Sequence, residues 1–232
     1  MICDEKNSKK SVLLISVLFV LSIVFTGCGS ANSSKSNTTS DVDISSLPIY
    51  PMRASFVYDT NDMRQAVGIC DYVFVGEVIS CDGTQYRDKV TMEDDNGNPK
   101  EVGSPYTNYT VNVIENIKGE LVTEQSISIT KQGGVSENQD AVYVFENDEL
   151  PVANNTYIFL AYAQEDGSLL ISGPNSNVLY NNAETYSTTS TSAYQEYKTA
   201  VENEVIPVER ERFTSVYEGS TTESVSYTHL RA

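Results

Sequence analysis

Ten residues, Asp71 to Ser80, constrain the fold of this 232-residue chain more than any other stretch. The run Asp-Tyr-Val-Phe-Val-Gly-Glu-Val-Ile-Ser is dominated by β-branched and aromatic side chains, which suit a pleated, half-buried surface. Side chains on a strand alternate between faces, so Val73, Val75 and then Glu77 share one side. Tyr72, Phe74, Gly76 and Val78 share the other. Both sides are largely apolar, which predicts a central strand covered on both faces. Gly76 in its middle predicts a bulge or sharp bend, a device that curls a sheet. Glu77 is the one acid in an odd setting. Buried there, its carboxyl would have a raised pKa and serve as an acid; at an exposed strand end or in a salt bridge it would be inert.

Further strands follow from the same reasoning. Thr107 to Val113 alternates, with Tyr109, Val111 and Val113 on one side, and Ile114 to Ile117 extends it before Lys118-Gly119 turns the chain. Ser126 to Thr130 alternates again and stops near Gly133-Gly134. Ala141 to Phe145 is a weaker strand pattern. Thr156 to Tyr162 is apolar on both faces, and Asp166-Gly167 turns it tightly into Leu169 to Ser172, a hairpin. Asn177 to Tyr180 reads as a last short strand. The stretch from Asp82 to Ser104 is polar and turn-rich. Its Asn96-Gly97 pair signals a type I′ hairpin, joining short strands at Lys89–Met92 and Lys100–Val102.

Two helices are predicted. Asp59 or Thr60 caps a short one through Asn61 to Val67, ending near Gly68. The second follows the polar loop 181–191. Ser192 and Gln195 form a capping box, and Tyr194, Tyr197, Val201 and Val205 make one apolar face before Pro207. Residues 208–232 read as an irregular tail. The last eight, Val225 to Ala232, resemble the spurious ends of truncated genes in metagenome assemblies. The expected fold is therefore mainly β: a small antiparallel barrel with a short N-terminal helix and one C-terminal amphipathic helix.

The N-terminus has the three-part build of an export signal. Lys6, Lys9 and Lys10 precede an apolar run from Val12 to Phe25, followed by Thr26-Gly27-Cys28. The run is short of the ~20 residues that span a bilayer comfortably. Its ending resembles the lipobox of bacterial lipoproteins, with Phe25 where that family prefers Leu. The resemblance implies that residues 1–27 are a signal peptide and that Cys28 becomes the lipidated first residue. The partner it implies is the lipid bilayer, entered through an N-terminal diacylglycerol on the outer face of the cell membrane. An ordinary signal peptide, or a membrane helix with a bystander cysteine, is the competing reading. Residues 28–46 are rich in Ser, Asn and Thr, too polar to repay ordering, and read as a flexible tether. The β domain then spans 47–180, and 181–207 is the loop and helix.

Charge and residue usage narrow the function classes. The chain carries −17, and residues 1–27 carry +1, which leaves −18 for the exported part. Such a surface argues against nucleic acid and against adhesion to anionic lipid. Cys70 and Cys81 flank the central strand, where extended chain holds them far beyond disulfide reach, so two reduced thiols are expected. The single histidine, His229, lies in the suspect tail. Imidazole-based triads and metal sites are thereby removed, and no cofactor is expected.

Glu93-Asp94-Asp95-Asn96-Gly97-Asn98 is the one metal-like cluster, because hard oxygen ligands suit calcium. Met92 stands where an EF-hand loop needs an acid, so the favoured reading of Glu93, Asp94 and Asp95 is a solvated hairpin tip. Tyr106 and Tyr109, beside a loop, are the candidate contacts for a peptide or glycan. The pattern across Asp71–Val78, Tyr109–Gly119 and Thr156–Leu160 resembles small lipoproteins of Gram-positive bacteria, and more distantly the netrin-like, metalloproteinase-inhibitor barrel of oligonucleotide/oligosaccharide-binding (OB) type, a resemblance that implies an OB-like barrel. Protease inhibition is not carried over, since that family uses a free N-terminal cysteine and disulfides. Three function classes stay open. One is a non-enzymatic lipoprotein binding an envelope protein, peptide or glycan. The second is a carboxylate-dependent hydrolase of cell-wall or extracellular substrates, using Glu77 or the acids at 93–95. The third is a calcium-responsive module.

Overall fold

The computed structural model of the chain describes residues 44–94, 96–123, 125–182 and 192–219. The leader, Cys28, most of the tether, Asp95 and the last eight residues lie outside the described residues. The elements in order are β1 (Ile49–Met52), α1 (Met63–Ile69), β2 (Tyr72–Glu93), β3 (Pro99–Lys118), β4 (Ser126–Gln132), β5 (Gly134–Val135), β6 (Val142–Phe145), β7 (Asn155–Ala163), β8 (Leu169–Ile171), β9 (Asn177–Asn182) and α2 (Ser192–Glu202).

Five strands form a partly closed ring. β2 pairs with β3, β3 with β4, β4 with β8, β8 with β7, and β7 returns to β2. Four of these seams are antiparallel, and β4 with β8 is parallel. The predicted OB-like barrel is therefore present, with one parallel seam where an all-antiparallel ring was expected. β4 and β8 are joined through the β5–β6 excursion and β7, a connection long enough to return the chain in the same direction. β9 lies along β7 beside β8.

Alternation divides the core as the sequence requires. Tyr72, Phe74 and Val78 point into the barrel with Tyr109, Val111, Ile127, Ile129, Tyr157, Phe159 and Ile171. Val73 and Val75 point outward and meet Ile158 and Leu160 of β7. Over them lie Val67 and Ile69 of α1 and Tyr194, Tyr197 and Ala200 of α2. The central strand is covered twice because one face fills the barrel and the other takes both helices. At Gly76 the pairing register with β3 shifts, and an added Cβ would sit 2.6 Å from Val111 Cγ1. A side chain there would collide with the barrel interior, so the bend needs glycine.

Several boundaries differ from expectation. α1 is capped by Asp62, whose carboxylate accepts the Arg64 amide at 3.0 Å; Asp59 instead closes the turn before it by accepting from Asn61. α2 ends at Glu202, and Val205 runs on against α1, its amide donating to the Arg64 carbonyl. That crossing requires Gly68, since a Cβ there would stand 2.1 Å from the Val205 oxygen. Residues 208–219 contain no helix and no long strand, yet they are pinned. Arg210 and Arg212 bind Asp71 and the carbonyls of Gly68, Ile69 and Cys70, closing the C-terminus of α1. Ser215 N donates to Tyr72 Oη, which donates to Glu218 at 2.7 Å.

Candidate binding groove

The polar stretch after Ser80 is continuous strand. β2 and β3 outrun the barrel as a two-stranded ribbon reaching Glu93 and Pro99, because a ribbon satisfies its backbone without an apolar face. Its tip is not type I′. The Asp94 amide donates to the Asn98 carbonyl, the Gly97 amide donates to the Asp94 carbonyl, and Gly97 takes φ +79°. This is a three-residue loop ending in a glycine bulge. The Asp94 carboxylate accepts the amides of Asn98 and Asn96, and these two bonds hold its pKa below the ordinary carboxylate value.

A second, three-stranded sheet stands opposite the ribbon, with β6 between β1 and β5. Tyr86 anchors the ribbon to it by donating to the carbonyls of Val135 and Ser136, both at 3.1 Å. Lys100 Nζ adds a contact to Asn138 Oδ1 at 3.2 Å. Cross-strand partners share a ribbon face, so Val90 with Val102 and Met92 with Lys100 look the same way. That face, together with Met52 and Tyr143 of the small sheet, lines a groove of about 780 Å³. Val90 and Met92 are 56% and 55% exposed, unusual for apolar residues aligned on one face. Around them stand Asp88, Glu93, Asp94, Glu137 and Asp140, against Lys100 as the one base in the lining among the described residues.

The candidate residues distribute unevenly over this geometry. Glu93 and Asp94 line the groove; Asp95 lies outside the described residues. Tyr106 is next to the groove but covered: it is 8% exposed, its ring lies under the Arg87 guanidinium at 4.7 Å, and its hydroxyl donates to Asp88 at 3.4 Å. Burial first, then the Asp88 charge, raises its pKa. Tyr109 fills the barrel interior, where burial drives its hydroxyl far above the ordinary tyrosine value. The alternation that placed it with Val111 and Val113 is the reason, since that side of β3 faces inward. Neither ring offers a free surface to a ligand. Glu77 is half-buried on β2 opposite Asn112 and Thr156. Sixteen residues of strand, roughly 50 Å, separate it from Glu93, so these acids do not form the close pair that glycoside hydrolysis needs. Among the described residues no three His, Cys, Asp or Glu groups converge as for a metal. Cys70 is buried, its thiol pushed up to about 12 by desolvation, and Cys81 is exposed; both are free.

Sequence reading missed two features. The first is the apolar groove floor, although Val90, Met92 and Val102 alternate on both sides of the predicted hairpin turn. The second is a buried ion pair. Lys131 continues the inward series Ile127, Ile129 at one end of the barrel, with its side chain 0% exposed. Its Nζ lies 2.5 Å from Asp148 Oδ2 and 2.7 Å from Ser176 Oγ, and Ser176 donates onward to the Gly173 carbonyl. Burial pushes the Lys131 pKa down and the Asp148 pKa up, against the attraction between them. The pair ties three separate segments together: β4, the loop before β7 and the loop after β8. No protein-family model matches the chain, and no curated protein matches it in sequence.

Proposed function

We propose that this chain is a lipid-anchored extracytoplasmic protein, tethered through Cys28, whose barrel carries a ribbon-walled groove that binds an envelope partner. The groove is the observation that carries the binding part. Aligned apolar side chains of both ribbon strands stand in solvent opposite a second sheet, at a volume typical of ligand sites. The leader order of lysines, apolar run, small pair and cysteine supports the anchor.

Each part has its own test. Cys28→Ala removes the acyl acceptor, so the variant is expected to leave the membrane fraction while the wild type stays, and its mass should show no diacylglycerol. An unaltered distribution, or an unmodified Met1 on the native product, would end the anchor reading. For the groove, full-length protein in non-ionic detergent serves as bait in envelope extract. A partner retained by wild type and by Val57→Ser, outside the groove, should be lost from Met92→Ser/Val102→Ser. All three substitutions fall on exposed positions, so folding should not change. Equal capture by the groove variant would place binding elsewhere.

A further inference from the structure

We infer that the occupant of this groove is an extended peptide segment carrying both lysine or arginine and large apolar side chains; the inference rests on the groove reading above. The shape of the lining argues first. Val90, Val102 and Met92 form a floor on one ribbon face, Tyr143 and Met52 form the opposite wall, and the flexible methionines adapt to varied apolar side chains. Charge argues next. Asp88, Glu93, Asp94, Glu137 and Asp140 stand against Lys100, which is already engaged with Asn138. A cleft lined by one sign of charge concentrates partners of the other sign. The acids also keep roles that hold them at the rim. Asp94 braces the tip, Asp140 accepts from Ser136 Oγ at 2.6 Å, and Glu93 and Glu137 are exposed at the two sides. An extended chain presents alternate side chains to opposite sides, so it can set apolar groups on the floor and cations on the rim. A neutral glycan would use the apolar floor but not the acids, and an anionic one would be repelled.

The test uses full-length protein in non-ionic detergent and fluorescence anisotropy with short labelled peptides. One probe alternates lysine and leucine, one glutamate and leucine, one lysine and serine. Only the lysine–leucine probe is expected to bind. Affinity should fall as ionic strength rises from about 0.01 M to about 1 M, where the Debye length shrinks from about 30 to about 3 Å. Glu93→Gln/Glu137→Gln should weaken binding by up to about tenfold, the scale of two exposed charge pairs, and Met92→Ser/Val102→Ser should abolish it. Equal binding of the glutamate–leucine probe would overturn the cationic assignment and leave the groove standing. Equal binding of the lysine–serine probe would overturn the apolar assignment. Binding of the lysine–leucine probe that ignores both groove variants would remove the peptide from this site. Displacement of that probe by soluble cell-wall glycan fragments would reassign the groove to glycan. Absence of binding by every probe, beside groove-dependent capture from extract, would end the peptide inference without ending the groove.

Discussion

Lys131→Met is expected to destabilise the fold by about 3–5 kcal/mol, the usual cost of stranding one member of a buried ion pair. Global stabilities are ~5–15 kcal/mol, so this is a large share, and urea melts should show the midpoint falling with little change in slope. The loss comes less from the missing attraction than from Asp148, whose side chain is 1% exposed and would keep a charge without a partner. Lys131→Met/Asp148→Leu should therefore recover most of the stability, because an apolar pair of similar bulk needs no compensation. A double variant no better than the single would mean that the loops need the polar link itself.

The same variant carries a pH signature. Burial raises the Asp148 pKa, and the Lys131 charge is the chief influence holding it back. With that charge gone, the folded-state pKa climbs further, while the unfolded value stays near that of an ordinary carboxylate. A raised folded pKa gives stability that is present at low pH and lost as pH rises. The deficit of Lys131→Met relative to wild type should thus be least below the wild-type folded pKa of Asp148. It should grow as pH rises toward the variant's own value and then level off. Melts across this range read it directly, and a deficit that grew toward acid would overturn the assignment.

The barrel was legible where one physical rule governed a residue. Tyr72 to Val78 and Tyr157 to Leu160 are apolar on both faces because they are covered twice, by barrel and by helices. Ile127 and Ile129 declare an inward face by alternation alone. Only the tip of the ribbon, Lys89–Met92 and Lys100–Val102, was legible as strand; the polar stretches nearer the barrel take their order from backbone pairing between β2 and β3, which leaves no local pattern. The parallel β4–β8 seam has no local signal, because it depends on where the chain returns. The groove failed for a related reason: Val90, Met92 and Val102 look like an ordinary hairpin until Tyr143 and Met52 arrive from distant sequence. Lys131 was hidden by its type. A lysine closing the series Ile127, Ile129, Lys131 reads as a strand leaving the core, and only Asp148 and Ser176, brought by two other loops, let it stay inside.

Tyr109→Ala is expected to cost about 3–5 kcal/mol as well, by a different route: a large cavity in a barrel that cannot collapse around it. The ring is 1% exposed and packs within the inward layer that includes Val78, Val111, Ile129 and Tyr157. Sequence alone allowed it to be a ligand contact, and the two roles separate cleanly. A contact residue would lose binding at unchanged stability; a core residue loses stability, and the fraction that stays folded still binds. Tyr109→Phe keeps the ring and removes only the hydroxyl, so its melt should fall within about 1 kcal/mol of wild type. Measured together by urea denaturation and by anisotropy with the lysine–leucine probe, the two variants give opposite patterns for the two roles. Loss of probe binding in a well-folded Tyr109→Phe would return this tyrosine to the binding surface. It would also require the barrel to open there, since the ring in its present place is beyond a ligand's reach.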